Sequence, residues 1–285
     1  MTALALALLL WTLLPPPAAR ALGWVTLLEG SLRVIRGTTA FQGQEGMSLN
    51  KGDILESSDR AFVQLEFTSG AIIALGPSSR LYILQDSAGA TNSEQTLALD
   101  GAMLSGWFKI ESASGMRLYR YRTPLLAGTS TGGNLVVRSS PDECEVFLET
   151  GALSVADVNP NGISGAPKAG KAGQFFSRRK GAAGATLARP SSDFLEGMPR
   201  QFRDTLPPRM ARYAGTSIEP KTGRPVSYEE ISYWLTSPPA WRKGLPERFA
   251  PRLVAPEFRK QIELHVKEFP EWEPILHPKE DSPSP

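Results

Sequence analysis

AFVQLEFTSGAIIAL, residues 61–75, decides the fold class. Ala61, Val63, Leu65 and Phe67 fall on one face of an extended chain and Gln64 and Glu66 on the other, the period of two that a half-buried strand requires. Ser69-Gly70 supplies a turn, and Ala71-Ile72-Ile73-Ala74-Leu75 returns as a second apolar run. Outward from there, Gly76-Pro77-Ser78-Ser79 turns the chain into Leu81-Tyr82-Ile83-Leu84, and Leu135-Val136-Val137 and residues 145–148 add further short runs. Strands of about five residues with turn signals roughly every eight to twelve residues describe an all-β main domain. No helical period interrupts the stretch from Trp24 to Phe176.

One phrase recurs in different letters: LLEGSLRV at 27–34, LALDGAML at 97–104 and FLETGALSV at 147–155. Apolar alternation runs up to an acidic or hydroxyl residue and a glycine, then resumes, which predicts hairpins with Glu-Gly, Asp-Gly and Thr-Gly turns. Gly30, Gly101 and Gly151 are 71 and 50 residues apart, too uneven for a counted repeat. The expected body is therefore a β-solenoid-like coil with unequal rungs or a curled β-sandwich.

After Pro190 the pattern changes. Asp193 is placed to cap a short helix, and Ser227 with Glu230 has capping-box spacing ahead of Ile231 to Leu235. Pro256 suits the first turn of a helix over 257–269, with Phe258, Ile262 and Val266 on one apolar stripe. Prolines at 207, 208, 238, 239, 246, 251, 256, 270 and 274 cut this third into short helices without a deep core, expected to lie on the β domain or on a partner. Between the two regions, Lys168, Lys171, Arg178, Arg179, Lys180 and Arg189 occur with no acidic residue from Val158 to Ser192. A solvated flexible basic loop, interrupted by one short strand at Gly173 to Phe176, is the expectation, with an anionic partner as the alternative.

At the amino end, an apolar run from Ala3 to Leu14, three prolines and Ala19-Arg20-Ala21 have the form of a secretory signal peptide with its cleavage site, which predicts export to the periplasm. The run is about half of the roughly 20 residues that span a bilayer, so no stable membrane insertion is expected. The organisation read from the chain is a signal peptide at 1–21, a β domain at 22–178, a basic flexible linker at 179–192 and a helical, proline-rich extension at 193–285. With 31 basic and 29 acidic residues, the chain lacks the charge of a nucleic-acid binder. The single Cys144 has no disulfide partner and alternates in phase with Val146 and Leu148, as a buried apolar residue would.

Chemistry-bearing residues are few. His265 and His277 lack zinc-site spacing, and Gly128 to Gly133 lacks the lysine of a phosphate-binding loop and reads as a β-turn. Glu229-Glu230 and Glu268, Glu271 and Glu273 read as solvated surface. No enzymatic activity, cofactor or metal is expected. Trp234, Trp241 and Trp272, with Arg242 and Arg248 near them in sequence, carry two readings: an aromatic platform for sugar rings, or staples fixing the tail to the sheet.

Gly23-Trp24-Val25, Gly30, Leu32 and Val34, then Leu49-Asn50-Lys51-Gly52-Asp53-Ile54-Leu55, Ala61 to Leu65, Ser69 to Ile72, Gly76 to Ser79 and Thr123-Pro124 together resemble the FecR domain, over Trp24 to Phe176. That family occurs in the periplasmic part of transmembrane iron-uptake regulators and in stand-alone exported proteins. The resemblance implies scaffold positions and no catalytic residue. The chain departs from the regulators in showing no anti-sigma segment and no membrane span, and Ala127 stands where the family carries the arginine of an Arg-Gly-Thr turn. The resulting expectation is a non-catalytic exported scaffold that presents its β domain to an envelope protein. The alternative is a cell-wall glycan-binding module using the tail tryptophans, and the third reading is a hydrolase assembled from distant residues.

Overall fold

The computed structural model describes residues 21–84, 96–112, 117–160, 162–213, 218–220 and 222–278; the apolar run expected to be a signal peptide lies outside them. In chain order the strands are β1 (Gly23–Glu29), β2 (Leu32–Arg36), β3 (Thr39–Gln42), β4 (Ser48–Leu49), β5 (Ile54–Ser57), β6 (Phe62–Phe67), β7 (Ala71–Leu75) and β8 (Arg80–Ile83). They continue as β9 (Thr96–Ser112), β10 (Arg117–Arg122), β11 (Leu126–Ser139), β12 (Glu143–Asn159), β13 (Gly162–Lys171), β14 (Phe175–Arg179), β15 (Ala185–Leu187) and β16 (Gly223–Pro225). The opening stretch folds as its alternation predicts, β6 and β7 pairing antiparallel from Val63↔Leu75 to Glu66↔Ile72.

All sixteen belong to one mixed sheet that forks at β9. Its first half pairs with β8 and, in parallel, with β10, and its second half pairs with β7 and β11. One branch runs through β3, β2, β5, β8 and β10 into the first half of β11; the other runs through β1, β6 and β7 into the second half of β11. Val34, Leu55, Leu81 and Tyr119 from the first branch meet Val25, Leu65, Ile73 and Val137 from the second in one core. Of the two expected architectures this is the curled sandwich, and β15 and β16 end the sheet without closing a barrel.

The long strands change branch at glycines. A Cβ on Gly106, at φ +103°, would lie 2.4 Å from Ser79 Cα, and one on Gly133 would lie 2.3 Å from the Thr150 carbonyl oxygen. Only a residue without a side chain permits these bends. The recurrent glycine phrase is thereby corrected: it does not mark hairpins. Gly30 does turn the chain, but β1 and β2 enter opposite branches; Gly101 lies inside β9, and Gly151 lies inside β12 opposite Gly133. Gly128 to Gly133 is likewise strand rather than β-turn. A glycine bend in a long strand and a tight turn share one sequence signature, because both hold the chain at positive φ, as at Gly70, Gly106 and Gly133.

The tail forms α1 (Ser192–Gly197), α2 (Tyr228–Leu235), α3 (Pro239–Arg242), α4 (Leu245–Phe249), α5 (Pro256–His265) and α6 (Glu273–Leu276), joined by 3-10 turns. Ser227 and Glu230 make the expected capping box and Pro256 opens α5, whereas Ser191, not Asp193, caps α1 by accepting from the Phe194 N–H. The tail covers both branches from outside. Phe194, Met198, Phe202 and Leu206 form a strap over Phe62, Ala74, Val136 and Phe175, and Trp234, Phe249, Ile262 and Trp272 pack with Ile35, Ile54 and Leu104.

Gln64 and Glu66, on the face expected to meet solvent, are buried by this strap. The Glu66 carboxylate accepts from Thr26 Oγ1 at 2.8 Å, Gln64 Nε2 at 2.9 Å, Arg209 N at 2.6 Å and Met210 N at 2.8 Å. Lys109, buried beside it in the sheet, pairs with Glu149 at 3.1 Å and donates to the Phe202 carbonyl at 2.8 Å. Buried charge is tolerated here because every such group is paired or hydrogen-bonded.

The basic stretch is not a loop: it holds β13, β14 and β15. Arg178 is buried and donates to the carbonyls of Leu125 and Val158 and to Asn159, while Arg179 pairs with Glu143 at 2.8 Å. Its cations found acceptors across the sheet that are distant in sequence. Cys144 is fully buried in the central core, as its alternation predicts. Among the described residues no helix is long and apolar enough to cross a membrane.

Candidate functional site

A cavity of about 820 Å³ forms a groove on the outer face of β10, β11 and β12. Its floor follows from strand register. Arg122 lies opposite Ala127, which lies opposite Ala156; Arg120 lies opposite Thr129, which lies opposite Ser154. Tyr119 and Tyr121, one step out of phase, point into the core instead. Two rows therefore cross three strands, each beginning with an arginine and continuing with small side chains. Small floor residues leave a trough between two taller walls. One wall is Pro160 with Ile163 and Pro167 of β13; the other is the start of α3, Pro238 to Trp241. Ile163 is 68% exposed at the lip.

The charged end is organised by Asp100, which is fully buried. Its carboxylate accepts from Arg122 Nε at 2.9 Å and Arg122 Nη2 at 2.6 Å, a bidentate pair, and from Arg120 Nη1 at 3.1 Å. Asp100 was legible only as a turn residue before Gly101. Arg120 and Arg122, two residues apart on one strand face, are the signal for this site that the sequence carries.

The residues singled out from sequence lie elsewhere or face inward. Trp234 is 0% exposed, Trp272 1% and Trp241 5%, and only Trp241 reaches the groove wall. The three rings form no sugar platform; they staple the tail, the other of the two readings. Arg242 donates to Glu271 at 2.8 Å and to the Leu235 carbonyl at 3.2 Å. Arg248 donates to the carbonyls of Ile35, Gly37 and Gly52 at 3.0, 2.9 and 2.7 Å, and its burial lowers its pKa. Both arginines hold the tail in place.

A second, more polar cleft of about 560 Å³ lies at the β2–β3 edge. Ion pairs span it: Arg33 with Glu56 at 2.8 Å, Arg33 with Glu230 at 3.1 Å, and Arg224 with Glu230. Burial pushes Glu56 above the usual carboxylate range despite Arg33 and Arg80 beside it. Burial would also raise Glu230, but Arg224, the Ser227 N–H and Arg33 hold it below that range. His265 stacks on Tyr228 at 5.8 Å and faces Glu268 at 3.3 Å, on α5 and away from both cavities. Among the described residues no group of three His, Cys, Asp or Glu side chains is placed to hold a metal ion.

No family model matches this chain, and none of the curated proteins compared with it does either. Two crystal structures of a protein from Parabacteroides distasonis, provisionally assigned as an anti-sigma factor, align with 50% of this chain at 12% and 11% identity, with TM-scores of 0.40 and 0.39. The chain spans 64% and 65% of the lengths of those two chains.

Proposed function

We propose that this protein is a non-catalytic interaction module of the bacterial envelope, exported to the periplasm and built on a FecR-like domain, that docks an envelope protein in the groove over β10, β11 and β12. The groove carries this reading. Its volume falls in the range of binding clefts, and its walls are proline, isoleucine and indole edge rather than acid–base pairs. Ala127 lies on its floor, where the longer side chain of the family's arginine would occupy the space. The glycan reading has no exposed tryptophan face to support it.

Cross-linking in intact cells followed by affinity purification tests the proposal. The comparison is the whole chain against Thr129→Trp, which fills the trough from its floor. Recovery of one envelope protein by the native chain and its loss with Thr129→Trp supports docking in the groove. Equal recovery by both moves the contact elsewhere on the molecule.

A further inference from the structure

We infer that the groove's occupant is an extended peptide segment carrying one carboxylate side chain among apolar residues, with the carboxylate seated against Arg120 and Arg122. This deepens the docking reading and rests on it. The first observation is charge. Asp100 is one anion serving two guanidiniums, so the pair keeps one positive charge in excess. The rest of the floor, Ala127, Thr129, Ser154 and Ala156, is neutral, and among the described residues no carboxylate lines the groove. Asp100 also orients the pair: it holds Arg122 at both Nε and Nη2, but takes only Nη1 of Arg120, which is about one third exposed. Arginine forks held in this way suit a planar carboxylate.

The second observation is the apolar remainder. A small free anion would satisfy the arginines and leave Pro160, Ile163, Pro238 and Pro239 facing water. An extended chain covers both features at once. From β10 to β13 the trough crosses three strand spacings, roughly 14 Å, and an extended peptide advances about 3.3 Å per residue, so some four residues bridge it. Acid at one end and apolar side chains along the rest match the order of the lining. Burial of those side chains supplies the affinity, and the charge pair sets the register.

The test is selection of a random dodecapeptide display library on the whole chain, followed by fluorescence anisotropy with a labelled synthetic copy of a selected peptide. Selected peptides are expected to be enriched in Asp or Glu. Binding should weaken about tenfold or more on Arg120→Gln, which removes the excess charge while leaving the bidentate Arg122–Asp100 pair intact. Thr129→Glu should do the same, because it places a carboxylate directly across from Arg120, and it is expected to melt no lower than the native chain. Selected peptides without acidic residues, or equal binding to both variants, would overturn the inference; if those peptides are still lost on Thr129→Trp, groove docking survives. Peptides that bind Thr129→Trp normally, or no selected peptides at all, would overturn both readings. Pelleting with purified cell wall in the absence of peptide binding would replace the peptide by a glycan.

Discussion

The strands β2, β5 and β8 and the strands β10, β11 and β12 share one branch of the sheet, yet helices cover the first group and leave the second open. Outward positions explain the difference. Under the helices they are Ile35, Ile54 and Tyr82, continued on the adjoining β9 by Ala102 and Leu104, with Trp234 and Trp272 packed against them. In the groove they are Arg120, Arg122, Ala127, Thr129 and Ser154. Large apolar residues on an outer face draw in the tail, because burying them is worth about 25 cal/mol per Å². Small and charged residues do not, and the tail only borders them, with Pro238 to Trp241 as a wall.

The largest expected effect breaks the covered side. Trp234→Ala removes a fully buried indole and should cost about 3–5 kcal/mol in urea unfolding. A cost below 1 kcal/mol would mean that the helices contribute little to the core they share with the sheet. For the same reason, deleting the tail does not isolate the β domain as a binding unit.

The strap gives the next largest effect. Glu66 accepts four hydrogen bonds, two of them from the strap backbone at Arg209 and Met210. Glu66→Gln replaces a carboxylate oxygen with an amide that cannot accept at both positions. The expected loss is about 1.5–3 kcal/mol, with faster hydrogen exchange at those two amides. Unchanged exchange there would show that the apolar anchors alone, Phe194 to Leu206, hold the strap down.

How far the sequence could be read follows the same division. Strand alternation at 61–75, the cap at Ser227, Pro256 and the burial of Cys144 are local signals, and each is realised. Two local signals fail, the cap at Asp193, which Ser191 takes, and the glycine phrase, which bends long strands; the other failures depend on distant partners. Gln64 and Glu66 read as a wet face because the residues that bury them are about 140 positions away. Arg178 read as loop because its acceptors, Leu125 and Val158, come from other strands. The groove was missed for a related reason. Arg120, Thr129 and Ser154 become neighbours only through the registers of three strands, and the tryptophans that drew notice are buried by the fold they help to close.

A smaller effect separates the two acids at the edge of the covered side. Glu230 titrates below its usual range when folded, so its stabilisation is present above the unfolded carboxylate pKa and is lost as pH falls toward the folded value. Glu56, raised by burial, works in the opposite sense: more of it is protonated in the folded state, so ionisation on raising the pH erodes stability. The melting temperatures of the native chain and Glu230→Gln should therefore differ most near neutral pH and converge as the pH falls below the usual carboxylate range. For Glu56→Gln the difference should shift the other way with pH. A constant offset for Glu230→Gln across that range would place its role in packing rather than charge.

The smallest stability change belongs to the open side, and it makes the sharpest comparison. Thr129→Trp lies mid-strand on a partly exposed face, where an aromatic residue is a good strand former and nothing packs above it. Its thermal unfolding should stay within about 0.5 kcal/mol of the native chain, as for surface substitutions away from special features. A residue whose replacement leaves folding intact but abolishes docking serves recognition rather than structure. If Thr129→Trp instead destabilises by as much as Trp234→Ala, the groove floor is carrying load like the covered half, and the distinction between the two regions fails.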